Sequence, residues 1–119
     1  MGYIPKALLR RLYVKGSMRA TGEELSFKLR NTLATAQVDA PVKVQVDGNP
    51  VKQEDVQLLL NGQPYTGQPS PSQPLEVPVG AELELRVKGP YSRGKHKVSV
   101  EVSIRGYGTG VIEFEDEAQ

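Results

Sequence analysis

Residues 96–105 alternate without a break: Val98, Val100, Val102 and Ile104 are apolar, while Lys97, Ser99, Glu101, Ser103 and Arg105 are polar. Successive side chains of a strand point to opposite faces, so this stretch has to bury one face and wet the other. A parallel sheet, whose strands are apolar on both faces and separated by helices, does not suit it. An antiparallel sheet with one face on a core does.

The rest of the chain repeats this grammar. Residues 12–19 read as a first strand, residues 21–24 as a turn, and residues 25–30 as a second strand with Leu25, Phe27 and Leu29 inward. Residues 31–36 are irregular. Residues 41–47 carry Val42, Val44 and Val46 on one face, and Asp47-Gly48-Asn49 turns the chain. Residues 56–60 end at Asn61-Gly62, another turn signal. Residues 61–74 contain four prolines and no periodicity, and read as a surface loop. Residues 75–77 and 81–88 resume the alternation, residues 89–95 form a basic loop before the central strand, and residues 106–110 are a glycine-rich turn. Residues 111–115 form the last strand, with Ile112 and Phe114 opposed to Glu113 and Glu115. Seven or eight short strands with one apolar face each predict an all-β fold, a two-sheet antiparallel sandwich of immunoglobulin-like or jelly-roll type. Ahead of them, Pro5 and the spacing of Ile4, Leu8, Leu9 and Leu12 predict a short helix or arm over residues 1–12.

At 119 residues the chain fits one domain, 1–119, with residues 116–119 as an acidic tail, and it leaves no room for a separate cofactor domain. Fifteen basic against fourteen acidic residues give a formal net charge of +1, so no global field argues for nucleic acid. The charge is uneven, however. Residues 1–30 hold seven cations against Glu23 and Glu24, whereas Glu113, Glu115, Asp116 and Glu117 crowd the end. Pairing of unlike ends between copies makes a closed homo-oligomer the expected state, with Ile4, Leu8, Leu9 and Tyr13 as apolar contacts and Arg10 and Arg11 as steering charges. Cysteine is absent, which removes disulfides, thiol nucleophiles and cysteine-held metals. The first residues lack a signal-peptide pattern, no long apolar run offers a membrane span, and Gly2 fails the myristoylation pattern because Lys6 stands where Ser or Thr is needed. A cytoplasmic location is the expectation, and absent Cys, few Met and nine Pro suit a thermophile.

The sequence offers no complete catalytic set. His96 is the only histidine, so neither a histidine pair nor a histidine-rich metal site can form. Its neighbours Arg93, Lys95 and Lys97 are expected to depress its pKa, and the simplest role is a strand-start histidine bonding a loop carbonyl. The stretch 106–110 misses the G-x-G-x-x-G spacing and leads into a strand, so it lacks the helix N-terminus a pyrophosphate needs. Glu113, Glu115 and Glu117 read as an outward charged edge. The serines have no histidine partner and no nucleophile elbow. No catalytic residue, metal site or cofactor is therefore assigned. If a ligand binds, the candidates are Tyr65, Tyr91, Arg93, Lys95, His96 and Tyr107 on loops, suited to a carbohydrate or an anion.

Two resemblances follow from particular stretches. Residues 42–51 (VKVQVDGNPV), 54–58 (EDVQL), 80–87 (GAELELRV) and 94–102 (GKHKVSVEV) resemble the small β-sandwich subunits of bacterial C-glycoside deglycosidases, over roughly residues 25–105. That resemblance implies a non-catalytic accessory subunit whose partner is a TIM-barrel enzyme subunit holding the metal and most of the chemistry. The start KALLRRLYVKGS is similar to short proteins labelled hydroxymethylglutaryl-CoA reductase. Because 119 residues without a nucleotide-binding βαβ unit cannot house that hydride transfer, the label is set aside.

Overall fold

The computed structural model describes residues 4–119, and Gly2 lies outside them. In chain order the elements are α1 (Lys6–Arg10), β1 (Arg19–Ala20), β2 (Glu24–Arg30), β3 (Ala36–Val38), β4 (Lys43–Val46) and β5 (Asn49–Pro50). A 3-10 turn (Gln53–Asp55) precedes β6 (Val56–Leu60), β7 (Gln63–Tyr65), β8 (Leu75–Val77), β9 (Glu82–Lys88), β10 (Gly94–Ile104) and β11 (Gly108–Ala118). One sheet runs β1-β2-β9-β6-β7; the other runs β5-β4-β10-β3-β8, with β11 on the far edge of β10. Every strand pairing is antiparallel, and the two sheets enclose one core, so the sandwich reading holds.

The alternating stretch is β10, at the centre of its sheet. It pairs with β11 from Gly94↔Ala118 to Ile104↔Gly108 and on its other edge with β4 and β3. Val98 and Val100 are fully buried, while Lys97 and Lys95 face out. In the other sheet, Leu25 and Phe27 of β2 face Val87 and Leu85 of β9 across the ladder, and all four are sealed from solvent. Each such side chain contributes about 1.5–3 kcal/mol of burial free energy, which a cysteine-free domain needs.

The turns form as their residues dictate. Asp47 and Gly48, at φ 52° and 83°, link Val46 to Asn49, and Asn61 and Gly62, at φ 50° and 83°, link Leu60 to Gln63. Two consecutive left-handed residues make a type I′ hairpin, the conformation Asp-Gly and Asn-Gly favour.

Four expectations need correction. Residues 12–19 are not a strand: Gly16, at φ 85°, turns the chain, leaving an isolated bridge from Tyr13 to Leu29 and then the two-residue β1. The stretch read as a proline-rich loop begins with β7, an edge strand in which Pro64 tolerates its missing N–H. The short strand β3 follows the irregular residues 31–35, because three residues carry too little alternation to be read. Finally, β11 runs on through Ala118, so Asp116 and Glu117 belong to a strand and not to a tail.

The register gives a direct test. Val100 is fully buried, whereas Glu101 is half-buried on the opposite face. Val100→Asp should cost several kcal/mol, enough to unfold a domain of this size, and Glu101→Lys should change stability by less than about 1 kcal/mol, as thermal denaturation of the two variants will show.

Candidate functional sites at the two ends of the sandwich

The sandwich has two dissimilar ends. At one end lie the start of β10, the end of β9 and the 89–95 loop; at the other lie the β10–β11 turn, residues 31–35 and the β8–β9 turn. The predicted ligand residues divide between them.

The first end is organised by His96. It is buried, 7% exposed, on the inward face of β10. Its Nδ1 lies 2.7 Å from Asp47 Oδ2 and its Nε2 lies 2.7 Å from the Ser92 carbonyl oxygen. Both partners accept hydrogen bonds only, so the arrangement is satisfied when both ring nitrogens carry protons. Asp47 is held in turn by the Lys97 backbone N–H, which donates to Oδ1 at 2.9 Å. The ring of Tyr91 meets His96 edge-on with centroids 6.0 Å apart, and Gly89 lets that ring lie against the main chain: a Cβ there would sit 2.9 Å from Tyr91 Cε2. The histidine thereby ties the β4–β5 turn and the basic loop to the central strand.

The pKa expectation for His96 is overturned. Burial alone would lower it, but the Ser92 carbonyl and the Asp47 carboxylate together raise it above the ordinary 6.5. The neighbouring cations lose because Arg93, Lys95 and Lys97 are exposed, where water screens them, whereas the acceptors make direct contact. Asp47 is lowered from 3.8 by the Lys97 N–H and by His96.

Tyr65 sits on the same half of the molecule but elsewhere, beside a groove of about 750 Å³ whose walls include Glu24, Gln53, Gln68 and Arg86. Its hydroxyl donates to the Gln73 carbonyl at 3.3 Å. Gln68 Nε2 donates to the Gln53 carbonyl at 3.5 Å, and the side-chain oxygens of both glutamines are buried without a partner among the described residues. Tyr107 is at the opposite end, 61% exposed in the β10–β11 turn, so it cannot share a ligand with Tyr91, Arg93, Lys95 and His96.

The predicted N-terminal contacts are placed largely within the chain itself. Leu9 is 3% exposed, and with Ile4 it packs over Gly110 of β11, where an added Cβ would lie 2.7 Å from Leu9 Cδ1. Tyr13 stacks on Phe114 with centroids 3.9 Å apart and planes 8° apart. Its hydroxyl donates to Asp116 Oδ2 at 2.7 Å, and the Gly16 N–H donates to the same oxygen at 2.8 Å. Burial, reinforced by Asp116, drives the Tyr13 phenol well above its usual value, and the Gly16 and Tyr13 donors hold Asp116 below its own. Leu8, Arg10 and Arg11 remain exposed. Asp47 and Asp116 were not singled out from the sequence. Asp116 was legible, since Ile112, Phe114 and Asp116 share one period-two face and so point inward together.

Among the described residues no group of three or more His, Asp or Glu side chains is placed to hold a metal ion, and no helix is long and apolar enough to cross a membrane.

Fold and site thus define a small β sandwich whose single histidine is built into its scaffold. A family model for the N-terminal domain of hydroxymethylglutaryl-CoA reductase matches residues 8–119, and the chain belongs to that family. This corrects the setting aside of that label on size, which concerned the reaction and not the domain. No curated protein matches the chain. Among solved structures, a family 123 glycoside hydrolase from Clostridium perfringens, described for glycolipid glycan hydrolysis, is similar at 14% identity and a TM-score of 0.42, over 84% of this chain and 21% of that one. The chain thus spans about a fifth of that protein's length, and at this distance nothing is transferred from it.

Two outcomes follow. The His96 contribution to stability is complete below about pH 6.5 and lost as pH rises through its elevated folded value; the Asp47 contribution is complete above pH 3.8 and lost on acidification through its lowered value. Urea midpoints should therefore fall on the alkaline side of pH 6.5 in the native chain, and His96→Gln should flatten that limb. Separately, Tyr13→Phe should cost about 1–2 kcal/mol by removing the donor to Asp116, and Tyr13→Ala about 3–5 kcal/mol by also removing the stack, as equilibrium unfolding will measure.

Proposed function

We propose that this chain is a non-catalytic accessory domain that assembles with a larger enzyme body. The observation that carries the reading is the placement of His96: with Asp47 on one ring nitrogen and the Ser92 carbonyl on the other, both nitrogens are already engaged by acceptors of the scaffold instead of facing a substrate or a metal. The family adds support, since its name describes one domain of a reductase, and a sandwich of 119 residues supplies no nucleotide-binding unit. A finer version takes the partner to be a sugar-active TIM-barrel subunit, supported by the strand-and-turn pattern shared with the C-glycoside deglycosidase small subunits. A closed homo-oligomer is the other form of assembly that the uneven charge favours; association with a different protein is placed first because Leu9 and Tyr13 are committed to their own core.

The chain, tagged and purified from its source organism, should carry a larger enzyme with it in near-equal amount, and the isolated chain should not oxidise a reduced nicotinamide cofactor in the presence of hydroxymethylglutaryl-CoA. Turnover by the isolated chain that disappears in His96→Ala would overturn the reading.

A second reading, a carbohydrate-binding domain, is favoured by one feature: the open groove that Tyr65 lines together with the polar side chains of Glu24 and Arg86, a flat ring beside hydrogen-bonding groups. Calorimetry with neutral oligosaccharides decides it: saturable binding lost in Tyr65→Ala supports it, and heats of dilution alone dismiss it.

A further inference from the structure

The end of the sandwich opposite His96 carries an apolar pocket of about 220 Å³ between the two sheets, lined among others by Leu9, Leu29, Val102 and Ile104, with Leu33 and Tyr107 among its walls. The exposed large hydrophobic side chains of the described residues are Leu8, Leu33, Val79 and Tyr107, at 40, 44, 57 and 61% exposure. Two of the four line the pocket, and the other two neighbour residues that line it. Leu33 and Tyr107 border the pocket; Leu8 adjoins Leu9, which lines it; and the Val79 N–H donates at 3.2 Å to Thr35 Oγ1, whose residue also lines it. The opposite end has charged loops and no such side chain. Scattered single hydrophobics are ordinary on a protein surface, but a pocket that two of the four line directly, with the other two next to residues that line it, marks an interaction surface.

Size and charge narrow the occupant. The pocket falls below the range of roughly 300–1,000 Å³ typical of cofactor and drug-sized sites, and matches one or two inserted side chains. Arg10, the last residue of the short helix that carries Leu8 and Leu9, and Arg11, which caps it, are exposed and form no ion pair with the described residues, whereas Lys6 is paired with Glu113 at 3.5 Å. Both arginines lie in the chain between Leu9 and Leu12, which line the cavity, and two guanidinium groups without an ion-pair partner among the described residues complement carboxylates flanking an apolar anchor. A bilayer is a poorer fit, because a concave cavity receives a protruding group instead of inserting one.

We infer that this end of the sandwich docks a protein partner by taking one large aliphatic or aromatic side chain, flanked by acidic residues, into the Leu33–Tyr107 pocket while Arg10 and Arg11 pair with the flanking carboxylates. The inference rests on the accessory-domain reading and names the surface and partner chemistry that reading leaves open.

The test uses the full chain, isotope-labelled, with three synthetic probes: the peptide acetyl-Glu-Asp-Leu-Phe-Asp-Glu-amide, the same Leu-Phe core flanked by lysines, and the acidic peptide with Ser-Ser at its centre. The first should shift the amide resonances of Leu33, Thr35 and Tyr107 saturably. The lysine-flanked and Ser-Ser peptides should bind at least about tenfold more weakly. The double variant Arg10→Glu, Arg11→Glu should reverse the charge preference, and Leu33→Ser should weaken binding with the remaining spectrum unchanged; if Leu33→Ser fails to fold, the charge-reversed variant decides. The inference is overturned if no probe shifts these resonances, if acidic and basic peptides bind alike, or if the shifts map to the His96 end. It is equally overturned if dilution of the chain alone moves the same resonances, which makes a second copy the occupant, or if vesicles of phosphatidylcholine and phosphatidylglycerol compete with the peptide. Failure here with the enzyme still co-purifying leaves the accessory reading standing on another surface; failure of co-purification with the peptide still bound removes the enzyme and keeps the pocket.

Discussion

The structure depends on β10 burying one face while pairing along both edges. Its inward residues supply His96, Val98, Val100 and Val102 in sequence, each shielded from water, and its backbone is shared by β11 on one side and β4 and β3 on the other. Because the side-chain period is two, a slip of one residue would send the whole set to the wet face, so the strand fixes the register of its sheet. The ends of this strand then determine the ends of the molecule. Its first inward residue is a histidine and its last is Ile104, and one end of the sandwich is accordingly polar and bonded while the other is apolar and open.

The polar end shows how a residue suited to catalysis becomes a fastener. His96 connects three segments distant in sequence: the Asp47 turn, the Ser92 loop and the central strand. A buried polar group is costly unless its bonds are made, and here both ring nitrogens are satisfied. The Tyr13–Asp116–Gly16 cluster works in the same way along β11, joining the N-terminal segment to the last strand. Each cluster uses an aspartate whose carboxylate collects donors from backbone and side chain, which is why both titrate below their ordinary value.

The strands with strict alternation, the two type I′ turns and the sandwich itself were legible in the sequence, because period and turn chemistry are local. The Ser92 carbonyl as a histidine partner was legible in kind, as a loop carbonyl. What was not legible depends on long-range contact. Asp47 and His96 are 49 positions apart, so nothing near His96 announced the carboxylate that reverses its pKa shift. Tyr13 read as an apolar contact between copies because its stacking partner Phe114 lies at the other end of the chain. The pocket at the apolar end is assembled from residues of several strands and loops, and the exposed Leu33 and Val79 sit in stretches without periodicity, where no pattern distinguishes an exposed leucine from a buried one.

The claim that joins fold to function is that His96 is a doubly donating, scaffold-bound imidazolium. With a single histidine in the chain, nitrogen-15 NMR of the ring reads it without ambiguity. The account predicts a midpoint above 6.5 in the folded chain, with protons on both Nδ1 and Nε2 below that midpoint. A midpoint below 6.5 in the folded chain would contradict it.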